Sequence, residues 1–141
     1  MCYVYKTMAG ETNLQTLLKN MTPSLDAGDY VYCVAPDVSA IDPAKVIGLF
    51  REAEGVTVIL RKEVAEQLGL QYSYVAAWIT LTVHSSLEAT GLTAAFASAL
   101  AKAGISCNVV AAYYHDHVFV ARSDGERALE VLWEMSRGSG K

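Results

Sequence analysis

The 141-residue sequence predicts an α+β fold of two βαββα units in tandem, each an antiparallel sheet with its helices on one face. Three observations predict it. Residues 78–84 alternate strictly: Ile79, Leu81 and Val83 point one way, and Thr80, Thr82 and His84 the other, the period of a half-buried strand. The alanine-rich stretch that follows puts Leu92, Phe96, Leu100 and Ala103 on one helical stripe. The order strand, helix, two strands, helix is written once faintly in residues 30–69 and once clearly in residues 77–137. That order describes a ferredoxin-like plan, divided into units at residues 1–75 and 76–141.

The elements follow in turn. Thr12-Asn13-Leu14-Gln15 reads as a capping box, and Leu14, Leu17, Leu18 and Met21 recur at helical spacing until Pro23 stops the run. "YVYCVA" at residues 30–35 is β-branched and aromatic, hence a strand. The loop "PDVSAIDPAK" carries two prolines and has room for one short helical turn. "VIGLF" and "VTVIL" read as a hairpin about "REAEG", with Gly55 supplying the turn. "RKEVAEQLGL" is a short helix closed by Gly69.

In the second half a helix over residues 91–103 is closed by Gly104, and "ISCNVVAAYY" and "HVFVA" are strands joined by a tight turn at His115-Asp116. Ser123-Asp124-Gly125-Glu126 is a second capping box. It opens a final helix with Leu129, Leu132 and Trp133 as its buried side, and "RGSGK" is a frayed tail. Neither unit shows its last strand. Tyr3-Val4-Tyr5, residues 72–75, or the neighbouring unit's sheet are the candidates to supply it.

Composition narrows the function. Hydrophobic residues make up 52% and charged residues 18%, which fits a packed globular chain and excludes disorder. The net charge is −4 and the 11 Lys and Arg are scattered, so the electrostatic footprint of a nucleic-acid partner is missing. The longest apolar runs fall far short of the roughly 20 residues of a membrane span. "MCYVYKTMAG" lacks the apolar core of a secretion signal. Cys2, Cys33 and Cys107 are odd in number and far apart, the usage of reduced thiols in a cytoplasm.

"GETNLQTLLKNMTPSL", "FREAEGVTVIL", "ITLTVHSSLEATGLTAAFASALAKAGIS" and "NVVAAYYHDHVFV" resemble a small bacterial family of ACT-domain proteins with no assigned biochemical role. The resemblance runs from Gly10 to about Trp133. It implies two ACT-like units packed together and a homodimer. ACT modules are regulatory sensors that bind amino acids or similar small ligands where the first strand meets the first helix, often at an interface between modules. One departure stands out: the first unit's joint, "YVYCVAPDVSAIDPA", has Pro36 and Pro43 where the second has its Gly-Leu-Thr helix start. Any site there is lost or altered.

The candidate site is therefore the joint over residues 83–93. A helix leaves its first N–H groups unpaired and carries partial positive charge at that end. Gly91, with no side chain, lets a ligand carboxylate approach the amides of Leu92 and Thr93. Glu88 would meet an ammonium group, and Ser85 or Ser86 would add hydrogen bonds. The plainer alternative is structural: Ser85 with Glu88, or Thr90 alone, caps the helix. Asn108, on the following strand, stands where the resemblance implies a further ligand contact; the alternative is an amide in water.

Other chemistry is weakly supported. His115, Asp116 and His117, with His84, lack established metal-ligand spacing, and Asp at a hairpin tip is ordinary turn chemistry. Pairs such as Cys107–His115 or Ser85–His84 have no nucleophile elbow and no orienting third residue. No glycine-rich phosphate loop occurs, so neither cofactor nor enzyme activity is expected. The reading is a non-enzymatic amino-acid-binding regulator. The other class compatible with the sequence is an interaction module that docks a protein partner through a sheet edge.

Overall fold

The structure, a computed structural model, describes residues 13–83 and 91–138. Among the described residues seven strands make one antiparallel sheet. They are β1 (Thr22–Leu25), β2 (Tyr30–Ala35), β3 (Val46–Glu52), β4 (Gly55–Arg61), β5 (Val75–Thr82), β6 (Cys107–Ala111) and β7 (Asp116–Ala121). The helices are α1 (Leu14–Asn20), α2 (Lys62–Leu68), α3 (Leu92–Lys102) and α4 (Gly125–Gly138). The expected α+β, ferredoxin-like architecture is what forms.

The strand order is β3-β4-β2-β5-β7-β6, with β1 pairing β5 as well. β7 takes one edge of β5, and β1 and β2 share the other in succession. Thr22–Leu25 pairs with Thr82 back to Ile79, and Tyr30 and Val31 then pair with Ala76 and Val75. This arrangement answers the question of the last strands. The first unit borrows the start of β5, as expected if the neighbouring sheet supplies it. The second unit takes β1, a strand that contains Pro23, the residue expected only to stop the first helix. Proline is tolerated there because β1 pairs with β5 alone among the described strands. Tyr3-Val4-Tyr5 lies outside the described residues.

Between β1 and β2 the chain makes a step over residues 26–29, organised by Asp26. Its Oδ1 accepts from the Gly28 N–H at 2.7 Å and from the Tyr30 hydroxyl at 2.8 Å. The Tyr30 ring lies edge-on to Trp78, centroids 5.2 Å apart, under the Arg61 guanidinium 5.3 Å away. Burial, then the bond to Asp26, pushes the Tyr30 pKa up to about 12.

All four described helices cover one face of the sheet. Alternation decides which side chains meet them: Ile79 and Leu81 from β5 and Val118 and Val120 from β7 are fully buried beneath Phe96, Leu100, Leu132 and Leu17. Each such side chain contributes about 1.5–3 kcal/mol. A smaller cluster sets Val31, Cys33, Val58 and Leu60 under Ala65 of α2. Gly69 ends α2 in the left-handed conformation, φ 69°, as its position in the sequence requires.

Several local expectations shift. The cap of α1 is Asn13, whose side chain accepts from the Thr16 N–H at 3.0 Å; Thr12 lies outside the described residues. The proline loop holds two short 3₁₀ turns, Val38–Ala40 and Pro43–Lys45, capped by Asp37 and Asp42. The β6–β7 turn is residues 112–115, with the Ala112 N–H on the His115 carbonyl, so Asp116 already belongs to β7. Ser123 lies in a 3₁₀ turn, Arg122–Asp124, that leads directly into α4. The buried stripe of α4 is Ala128, Leu132 and Ser136, with Leu129 and Trp133 only partly covered. That stripe follows from four-residue spacing through a serine that the hydrophobic pattern does not reveal.

The other face carries no described helix. The sheet curls along its length, so β3 and β6, the two ends of the strand order, line one cavity together. The curl buries Tyr30, Ile59, Ala76 and Phe119 on the concave side without a covering layer.

Candidate functional site

Gly91 holds the N-cap position just before α3 and sits in the left-handed region at φ 92°. No side-chain cap is made by this residue, and α3 has no acidic residue in its first turn. Its 11 residues align enough peptide dipoles to leave partial positive charge on the first amides. Leu92 is anchored in the core, which fixes the direction of the helix, while Gly91 and Thr93 are exposed. Leu14 of α1 forms a wall beside Gly91: a methyl group added there would stand 3.3 Å from Leu14 Cδ2. The joint thus offers main-chain donors on one side and an apolar wall on the other. Ser85, Ser86, Glu88 and Thr90, with His84, lie outside the described residues.

Asn108 is placed elsewhere. It pairs with Phe119 on β7 and so stands on the concave face, opposite α3. Within one chain the sheet separates it from Gly91. There it lines a shallow pocket of about 280 Å3 with Tyr32, Tyr74 and Ser106, and its side chain hydrogen-bonds Tyr74. Among the described residues the buried Tyr32 hydroxyl has no hydrogen-bond partner, and burial, with Tyr74 second, pushes its pKa up to about 12. Past Val31 the pairing of β2 with β5 stops. The chain diverges there to leave an open cleft of about 640 Å3 between residues 32–36 and 69–73. Sequence reasoning missed this cleft, because it arises from where two strands part rather than from any motif.

The second feature that sequence reasoning missed is the pairing of His117, weighed there only as a metal ligand, with Trp78. Trp78 Nε1–H donates to its Nδ1 at 3.0 Å, and Thr80 Oγ1 lies 3.3 Å from the same atom. Burial, with His115 adding to it, holds its pKa below the ordinary imidazole range. The only sequence signal was its parity with Phe119 on an alternating strand. Among the described residues no group of three His, Cys, Asp or Glu side chains lies close enough to hold a metal ion. No described helix is long and apolar enough to cross a membrane.

Comparison with known proteins adds the family. One ACT-domain family model matches residues 9–77 and a second matches residues 73–134. A Vibrio cholerae protein of unknown function, described as a possible transport protein, is 50% identical. Its structure aligns over 87% of this chain and 95% of its own, with a TM-score of 0.79. An Agrobacterium tumefaciens protein aligns at 19% identity over 82% of this chain and 89% of its own, TM-score 0.60. The ligand-free regulatory subunit of aspartate kinase from Thermus thermophilus shares the fold at 11% identity, over 84% and 97% of the two chains, TM-score 0.60. No curated protein sequence matches. With both halves of the chain matched and a relative of nearly equal length half identical to it, this protein belongs to the ACT-domain family.

Proposed function

We propose that this chain is a non-enzymatic regulatory protein that binds an amino acid at the joint between β5 and α3. ACT domains are regulatory modules, and that much comes with the family. The observation that carries the reading is Gly91: a left-handed glycine that, among the described residues, meets no side-chain cap and opens an 11-residue helix. A ligand carboxylate sits on the amides of Leu92 and Thr93, Leu14 contacts its side chain, and Thr90 and Ser85 or Ser86 complete the carboxylate's hydrogen bonds. Glu88 takes the ammonium group. Asn108 contributes from a second subunit, since its own chain's sheet stands in the way. The chain, built of two units at residues 1–75 and 76–141, pairs with a second copy as a homodimer in the cytoplasm, where the described cysteines Cys33 and Cys107 stay reduced.

Thermal unfolding against each of the amino acids tests the reading. One should stabilise the chain by about 2.7 kcal/mol at a hundredfold excess over its dissociation constant. Gly91→Val is a poor companion variant, because a branched residue is strained at φ 92° and meets Leu14. Thr93→Asp is better: a carboxylate in the first turn favours the helix by about 0.3–1 kcal/mol yet repels a bound carboxylate. It should keep the fold and lose the ligand response; an undiminished response removes the site from this joint.

One observation favours a second reading, docking of a protein through a sheet edge. β3 is an end strand and exposes Ile47, Leu49 and Phe50, the last at 71%. A flat amino-acid screen together with a partner lost on Phe50→Lys would select it.

A further inference from the structure

The concave face holds a cavity of about 250 Å3 that is separate from the α3 joint. Val46 and Gly48 of β3 form one wall, and Val110 and Ala112, at the end of β6, form the other. Trp78 and Phe119 make the floor, their rings stacked at 18° with centroids 6.0 Å apart. The space equals roughly eight water volumes, and its lining is mainly apolar. An apolar occupant restores dispersion contacts that the facing walls forgo.

One side chain in the lining departs from this pattern. His117 uses Nδ1 to accept from the Trp78 N–H, so its neutral ring carries the remaining proton on Nε2. Among the described residues the ring's two hydrogen-bond contacts, to Trp78 and Thr80, both fall on Nδ1. No Lys or Arg lines the cavity, so an ionised ligand brought out of water finds no counter-charge. A peptide segment or helix is too large for the volume.

We propose that this cavity binds a small, neutral, mainly apolar molecule with one hydrogen-bond acceptor, seated on Trp78 and Phe119 and taking a hydrogen bond from His117 Nε2. The site bridges the two ends of the sheet. It does not depend on the amino-acid site, and it stands if that site fails.

Three compounds of similar shape test it on the full chain: acetophenone, with a carbonyl acceptor; α-methylstyrene, with none; and benzoate, an anion. Binding is read from the Trp78 indole N–H resonance, assigned by its absence in Trp78→Phe. Acetophenone should shift that resonance saturably, at least tenfold more tightly than either of the others. His117→Phe should bring acetophenone and α-methylstyrene to equal affinity, and Ala112→Phe should weaken both by crowding the wall. The wild-type comparison decides without any variant. No saturable shift, equal affinities for acetophenone and α-methylstyrene, or tightest binding by benzoate would each overturn the proposal.

Discussion

At the level of single residues, two side chains do what composition does not announce. Asp26 ties a backbone amide and the Tyr30 hydroxyl into the step between β1 and β2, so one carboxylate fixes how both strands meet β5. His117 is held neutral by its surroundings, and stability then depends on pH. Its pKa is lowered on folding, first by burial and then by His115, so the unfolded chain binds the proton more readily. Above the ordinary imidazole value of 6.5 both states are neutral and the residue adds no pH dependence. As pH falls through 6.5 towards the lower folded value, stability is lost, and below that value the loss is constant. Urea denaturation from pH 8 to pH 5 should show this loss in the wild type and a flatter profile in His117→Gln. Parallel profiles would mean that His117 titrates alike in both states.

At the level of elements, much of the plan was readable. Alternation gives β5, helical spacing gives α1 and α3, and Gly69 and Gly104 mark helix ends. β1 was not readable, because "TPSL" is too short to show a period and its partner lies some sixty residues away. The α3 joint was readable as a helix start. The place of Asn108 was not: Cys107 and Val109 pack against the helices, so alternation turns Asn108 and Val110 to the other face. The cleft beside β2 and the cavity over Trp78 have no local signal, since both depend on where strands part or curl. Ser136 shows the same blindness. It is buried in α4 and its hydroxyl donates to the Met21 carbonyl at 2.8 Å, joining the last helix to the end of the first. Ser136→Ala leaves that carbonyl without its partner and should cost about 1–3 kcal/mol in denaturant unfolding. A change below about 0.5 kcal/mol would mean that water replaces the hydroxyl.

At the level of the whole molecule, β5 belongs to both units and the β1–β2 segment lies along one of its edges. Two units that share strands have no seam along which to separate. Unfolding should therefore be one cooperative event. Hydrogen exchange should give the β4 and β7 ladders the same highest opening free energy. Two distinct plateaus, one for each half, would show that the units melt independently. The borrowing of β1 also orders events in time. Thr22–Leu25 leaves the ribosome well before Thr82, and at roughly 5–20 residues per second the wait lasts seconds. During nascent growth the segment that will complete the second unit is already made while its destination is still being translated, so the carboxyl-terminal half closes backwards onto the beginning of its own chain.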